Sequence, residues 1–192
     1  TVKFVHLGNI TVDTSLPLVE VIRGSETHDS TMQQALSFVT RIGKLPLPCR
    51  SAPGFVVNRI LTPYMLEALR AHEDGYALET IDEAATAFGM PMGPVELADR
   101  VGLDVALNVA KILSETLGAG PPAQLEEKVA AGELGVKKKR GFYQYGADER
   151  PIKRRDAKAP DAELTDRLIL PMVNEAVACL TEGVVAEADL LE

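Results

Sequence analysis

Two textures divide the chain. Up to about residue 50, short apolar runs are separated by turn-forming residues. From Gly54 onward, apolar residues recur at three- and four-residue intervals. In the first part, the partly alternating stretch 1–10 and the run from Leu16 to Ile22 (LPLVEVI) predict short strands. The stretch from Asp29 to Ile42 predicts a helix. Met32, Ala35, Leu36, Val39 and Ile42 share one face, and Gly43 stands where a helix-ending glycine belongs. Leu45 to Cys49 holds Pro46 and Pro48, so a strand there is an edge strand. Two or three strands and one helix cannot enclose a doubly wound sheet, so this part reads as the tail of an α/β domain.

The rest reads as helices. Val57 to Glu73 carries Ile60, Leu61, Tyr64, Met65, Ala68 and Leu69 at helical spacing, with Pro63 as a kink or first-turn residue. Thr80-Ile81-Asp82-Glu83 has the form of a capping box for a helix ending at Gly89. Pro91-Met92-Gly93-Pro94 is a stiff turn. Helices are expected at 94–101, 103–117 and about 123–131, followed by the basic loop Lys137–Arg140 and a short aromatic strand or turn, Gly141–Tyr145. Residues 146–161 read as a linker, and Leu164 to Glu182 as a final long helix.

Sliding the chain so that Arg59 falls on Arg167 also brings Pro63 onto Pro171, Glu67-Ala68 onto Glu175-Ala176, Gly75 onto Gly183 and Glu79 onto Glu187. Apolar Ile60 and Leu61 fall on Leu168 and Ile169. The pattern predicts a duplicated helical unit whose second copy stops short. The expected divisions are 1–50, an α/β remnant; 51–146, a first helical unit; 147–162, a linker; and 163–192, the start of a second copy.

Composition narrows the function. Of 192 residues, 46% are hydrophobic and 25% charged, as in a soluble globular protein, and the net charge of −8 argues against bulk nucleic-acid binding. No apolar run approaches the ~20 residues of a membrane-spanning helix. No secretory leader is visible, and Cys49 and Cys179 are too few for a disulfide framework, so a reducing, cytoplasmic setting is expected.

Candidate chemistry is sparse. Glu20 interrupts an apolar run: it is either a carboxylate at a strand edge or a buried acid that orients a histidine. Asn58 opens a long helix: it is either a local cap or an amide aimed at a ligand carbonyl. In the Pro91, Gly93, Pro94 turn, glycine would let a ligand approach the backbone. The histidines His6, His28 and His72 lack metal-ligand spacing, so no metal site is expected. The lysine run is a solvated loop or a phosphate contact. No glycine-rich dinucleotide fingerprint is present, because Gly118-Ala119-Gly120 runs into Pro121-Pro122.

Several stretches together resemble the 3-hydroxyacyl-CoA dehydrogenase family: Pro17–Ile22 (PLVEVI), Ala52–Leu61 (APGFVVNRIL), Gly89–Pro94 (GMPMGP) with Gly102-Leu103-Asp104, and Gly141–Tyr145 (GFYQY). The duplication resembles the multifunctional fatty-acid oxidation enzymes. The resemblance implies a mainly α fold, a duplicated helical-bundle substrate and dimerisation domain preceded by the C-terminal remnant of a Rossmann-type domain. It implies NAD as cofactor, an acyl-CoA substrate, and oxidation of L-3-hydroxyacyl-CoA to 3-ketoacyl-CoA in β-oxidation. It also implies a homodimer or a multienzyme-complex subunit. Glu20 matches the glutamate that polarises the catalytic histidine, and Asn58 the asparagine near the reacting oxygen. Pro91, Gly93 and Pro94 fall to the substrate side.

The histidine itself would be His6, in His6-Leu7-Gly8-Asn9; the family's spacing from Glu20 falls instead on Gly8. The alternative is that residues 1–15 are unrelated sequence. Cofactor-binding residues are not assigned, and these 192 residues alone are expected to be inactive for want of a cofactor-binding half. In the second copy Asp166 replaces Asn58, so that copy is expected to be structural. Two other readings remain: a structural and oligomerisation domain, and a dehydrogenase for another 3-hydroxy acid.

Overall fold

The computed structural model describes residues 6–8, 17–154 and 158–187; most of the segment 1–15 therefore lies outside the described residues. Three strands, β1 (His6–Gly8), β2 (Leu18–Arg23) and β3 (Leu45–Arg50), form a sheet in that order. β1 runs antiparallel and β3 parallel to β2. A parallel pair needs a crossover, and α1 (Asp29–Arg41) provides it. The α1 face packs Met32, Ala35 and Val39 against Val19 and Val21 of the strand, as the spacing predicts. The strand with two prolines is at the edge of the sheet, where a missing N–H costs no ladder bond. β2 is central, which removes the reading of Glu20 as an edge-strand carboxylate.

The chain then becomes helical: α2 (Val57–Glu73), α3 (Leu78–Phe88), α4 (Pro94–Val101), α5 (Leu103–Leu117), α6 (Ala123–Ala130) and α7 (Ala162–Thr181). The mainly α class with an α/β remnant is as expected. Packing divides the chain into two units, residues 1–59 with 175–192, and residues 60–174. The core of the second unit includes Tyr64, Leu69, Ile81, Leu103, Leu125 and Leu168, all closed to solvent. Each such side chain stabilises the fold by about 2 kcal/mol relative to exposure.

Two buried aspartates hold the second unit together. Asp82 accepts from the Val95 amide at 2.9 Å, the Tyr143 hydroxyl at 2.9 Å and Lys153 Nζ at 3.0 Å. It thereby satisfies an orphan N–H at the start of α4. Asp99 accepts from the Phe142 and Tyr143 amides and from the Tyr145 hydroxyl, which folds the Gly141–Tyr145 stretch onto α4. Burial raises both carboxyls above the usual range, against the pull of these donors. The expected capping box is not formed. α3 starts three residues earlier, with Ala77 rather than Thr80 as its N-cap, and the Thr80 hydroxyl donates to the Lys158 carbonyl instead. The basic loop is a short 3-10 turn, Val136–Lys138. Its Lys137 pairs with Asp104, and the neighbouring Lys139 and Arg140 pair with Glu149 and Glu133.

The duplication is visible in the helix ends. At the end of α2 the Asp74, Gly75 and Tyr76 amides donate to the carbonyls of Arg70, His72 and Ala71. At the end of α7 the equivalent amides of Glu182, Gly183 and Val184 donate to Ala178, Leu180 and Cys179. Gly75 and Gly183 both take the positive φ such an ending requires, and both helices carry an internal proline, Pro63 and Pro171.

Candidate functional site

The site residues of the first unit are set by a sharp turn. Gly54 and Phe55 both have positive φ, +73° and +55°, which for phenylalanine costs about 1 kcal/mol. The turn brings two successive amides, Val56 N–H and Val57 N–H, onto the same Glu20 oxygen at 2.7 and 3.0 Å. α2 has no acidic residue in its own first turn. A carboxylate from the middle of β2 therefore supplies the negative charge that the positive end of the helix dipole favours. Glu20 is fully buried, which leaves the buried-acid reading, and it also holds the helix start that carries Asn58, a role the sequence did not suggest. Asn58, half-buried, is the residue after the second of those amides. Glu20 thus binds the amide of the residue immediately before Asn58 at the start of α2.

For His6 the backbone register is what is described. It lies in β1 opposite Ile22, and Gly8 lies opposite Glu20. Positions of a strand alternate between faces, so residue 6 takes a place on the sheet face that also carries Glu20.

Cys49 of β3 lies in the field of the same carboxylate. Burial, with the Glu20 charge and Cys179 adding to it, pushes the Cys49 thiol up to about 12. Cys49 and Cys179 are both buried and unbridged.

The turn predicted on the substrate side belongs to the second unit. A side chain at Gly93 would collide with Asp82, so this glycine has a reason within the protein itself. Pro94 is the first residue of α4, and the Met92 carbonyl accepts from the Tyr64 hydroxyl at 3.3 Å.

Sequence reasoning missed Arg59. Its side chain is only 4% exposed, and all three guanidinium nitrogens are engaged. Nε donates to Glu175, while Nη1 and Nη2 form a bidentate pair with Glu182 at 2.6 and 2.8 Å. The Arg59 bond holds the Glu182 carboxyl below the usual range, and the guanidinium is raised chiefly by Glu182. In the second unit Arg167 is held by Glu67 at 2.6 Å and Asp74 at 2.7 Å. These are the positions equivalent to Glu175 and Glu182. The available signal was the alignment of Arg59 with Arg167 and of Glu67 with Glu175; what it lacked was the exchange of partners between copies.

Comparison with known proteins covers most of the segments described above. The family model described as 3-hydroxyacyl-CoA dehydrogenase, C-terminal domain, matches residues 54–145, and the one described as the NAD binding domain of the same family matches residues 11–52. His6 precedes the matched range. The fatty acid oxidation complex subunit alpha of Shewanella putrefaciens is 37% identical over 189 residues, covering 89% of this chain and 26% of the relative. The chain thus spans about a quarter of the length of such relatives. The crystal structure of (S)-3-hydroxybutyryl-CoA dehydrogenase from Ralstonia eutropha is similar at 39% identity and TM-score 0.64, over 69% of this chain and 48% of that one. The dehydrogenase part of multifunctional enzyme 1 from C. elegans is similar at 28% identity and TM-score 0.67, over 97% of this chain and 46% of that one. The matches take in the Glu20 segment, the Asn58 turn and the Asp99-bound aromatic stretch alike, and this chain belongs to the 3-hydroxyacyl-CoA dehydrogenase family.

Proposed function

We propose that the protein containing this chain oxidises an L-3-hydroxyacyl-CoA to the 3-ketoacyl-CoA with NAD, and that Glu20, Asn58 and His6 serve the reacting centre. The observation that carries this reading is the buried Glu20 carboxylate bonded to the two amides just before Asn58. NAD, when bound, accepts the hydride from C3 of the substrate. Asn58 donates its side-chain amide to the oxygen on C3, which gains carbonyl character as the hydride leaves. His6 removes the hydroxyl proton, and Glu20 steadies the imidazolium that forms. The two N–H groups on one oxygen fix where the Glu20 carboxyl group sits. No described residue is assigned to the cofactor. Pro91, Gly93 and Pro94 enter the proposal as the rigid entry to α4 on the substrate side, with Gly93 already occupied by Asp82.

The test uses the full-length protein with NAD and a 3-hydroxyacyl-CoA, following reduced cofactor. Glu20→Gln and His6→Ala are each expected to lower kcat by about 10²-fold or more, the scale of general acid–base catalysis. Full activity in His6→Ala would remove His6 from the centre; full activity in Glu20→Gln would remove the whole reading. Trials with other 3-hydroxy acids distinguish the acyl-CoA substrate from its neighbours.

We further place the protein in the cytoplasm, in keeping with two buried, unbridged thiols, and in an assembly with itself or with another subunit. The assembly reading draws on α7, where Leu170, Val173 and Val177 stand 54%, 45% and 52% exposed along one side of the helix. Light scattering across a concentration series tests it; a constant monomer mass would exclude it.

A further inference from the structure

We propose that Arg59 is a positioning residue: the end of α7, by gripping it, fixes the start of α2 and so sets where Asn58 presents its amide. The second copy would then act on the reaction through the first. The inference rests on the dehydrogenase reading above and concerns the first unit only.

The argument begins with a closed ring of contacts. Glu20 of β2 holds the amides of Val56 and Val57. Two residues on, Arg59 is bound by Glu175 and Glu182. The chain just past α7 is tied in turn to the end of β3: the Arg50 amide donates to the Val184 carbonyl at 2.8 Å, and Arg50 Nη2 donates to the Glu182 carbonyl at 3.3 Å. β3 is paired to β2 along its length, register Glu20 with Leu47 and Arg23 with Arg50, which returns the ring to Glu20. A helix start held on one side by a single carboxylate can still pivot about it. Held on a second side by a planar, three-nitrogen fork, it cannot turn or slide without breaking a charged hydrogen bond.

Stability alone is a weak reason for such a group. A buried ion pair is often no better than apolar residues of the same volume, and on this proposal the advantage of the Arg59 pair is its fixed geometry. That geometry is placed next to the one amide for which a small displacement matters, since misplacement by about 1 Å can cost up to about 10²-fold in rate. The same clamp at Arg167 stands beside Asp166, which is exposed and carries no amide. The molecule therefore contains its own control.

The experiment measures kcat, KM and the thermal midpoint of the full-length protein in two paired variants. Glu175→Gln with Glu182→Gln loosens the Arg59 clamp; Glu67→Gln with Asp74→Asn loosens the Arg167 clamp. We expect the first pair to lower kcat about tenfold with both KM values within about twofold, the pattern of a lost orientation rather than lost binding. The second pair is expected to leave kcat within about twofold while also lowering the midpoint. Equal losses of kcat in the two pairs, or no loss in the first, would overturn the inference. If the first pair does not fold, Glu182→Gln alone carries the comparison, because that side chain is 54% exposed; about a threefold loss of kcat is expected and none would overturn it. Turnover by the unaltered protein is the prior control: its absence would remove the dehydrogenase reading, whereas its presence with unequal or equal variant losses decides on Arg59 alone.

Discussion

The Arg59 and Arg167 regions use one device in two settings. Each arginine lies in the first two turns of a proline-bearing helix, and each is held by two carboxylates at equivalent positions of the other copy. Their surroundings differ. The Arg59 side chain is 4% exposed and follows Asn58, whose helix start is also bound to Glu20; the Arg167 side chain is 29% exposed and follows Asp166. The packing device is present in both copies and the asparagine in one. What the two settings do not share is the residue beside the arginine and the arginine's exposure, and those differences are where a difference in role would arise.

The comparison can be broken most directly at the residue that differs. Asn58→Asp, which makes the first copy resemble the second, is expected to lower kcat by about 10²-fold, the scale of removing one donor to a developing oxyanion. Asp166→Asn is expected to change nothing in steady-state kinetics. A normal rate for Asn58→Asp would show that the copies do not differ in chemistry at this position.

A smaller contrast concerns stability. Breaking a buried pair by removing one partner costs about 3 kcal/mol, roughly 8 °C in a domain of this size. Arg59→Ala should show a loss of that order in a thermal scan. Arg167→Ala, at a more open site, should lose about 1 kcal/mol or less, roughly 3 °C. Equal losses would mean that the two clamps are buried alike in solution.

The smallest expected effect is a difference in alkaline tolerance. A group whose pKa is raised on folding contributes stability below its unfolded pKa and loses it as the pH climbs toward the folded one. For Cys49, burial moves the thiol from 9.0 to about 12, so the first unit should weaken from pH 9 upward. In the second unit burial, aided by Asp82, raises the Tyr143 phenol, and Asp82 raises Lys153 against the effect of burial, so weakening there should begin only above pH 10. Cys49→Ala should flatten the decline between pH 9 and 10 in urea unfolding curves; an unchanged slope would remove Cys49 as its source.

Much of the helical part was legible because its signal is local. Val57–Glu73, Pro94–Val101 and Leu103–Leu117 follow from apolar spacing and from the glycines and prolines at their ends. Glu20 and Asn58 were legible as candidates because a carboxylate in an apolar run and an asparagine at a helix start each break a local rule. The Arg59 clamp was not legible, because its partners lie 116 and 123 residues away and nothing local distinguishes a clamped arginine from a solvated one. The Thr80 capping box failed for a related reason. The box supplied a plausible local bond, but α3 begins at Leu78 and Asp82 is taken into the interior by Tyr143 and Lys153, partners 61 and 71 residues away.

The bond from Glu20 to the Val56 and Val57 amides has a consequence for engineering. It crosses the seam at residue 53 between the two matched family domains, joining a carboxylate on one side to a helix start on the other. A chimera cut at that seam would inherit the helix from one parent and its counter-charge from another. Swaps between relatives should therefore travel as a block reaching from β2 through the opening of α2, and a crossover at the apparent domain border is the one to avoid.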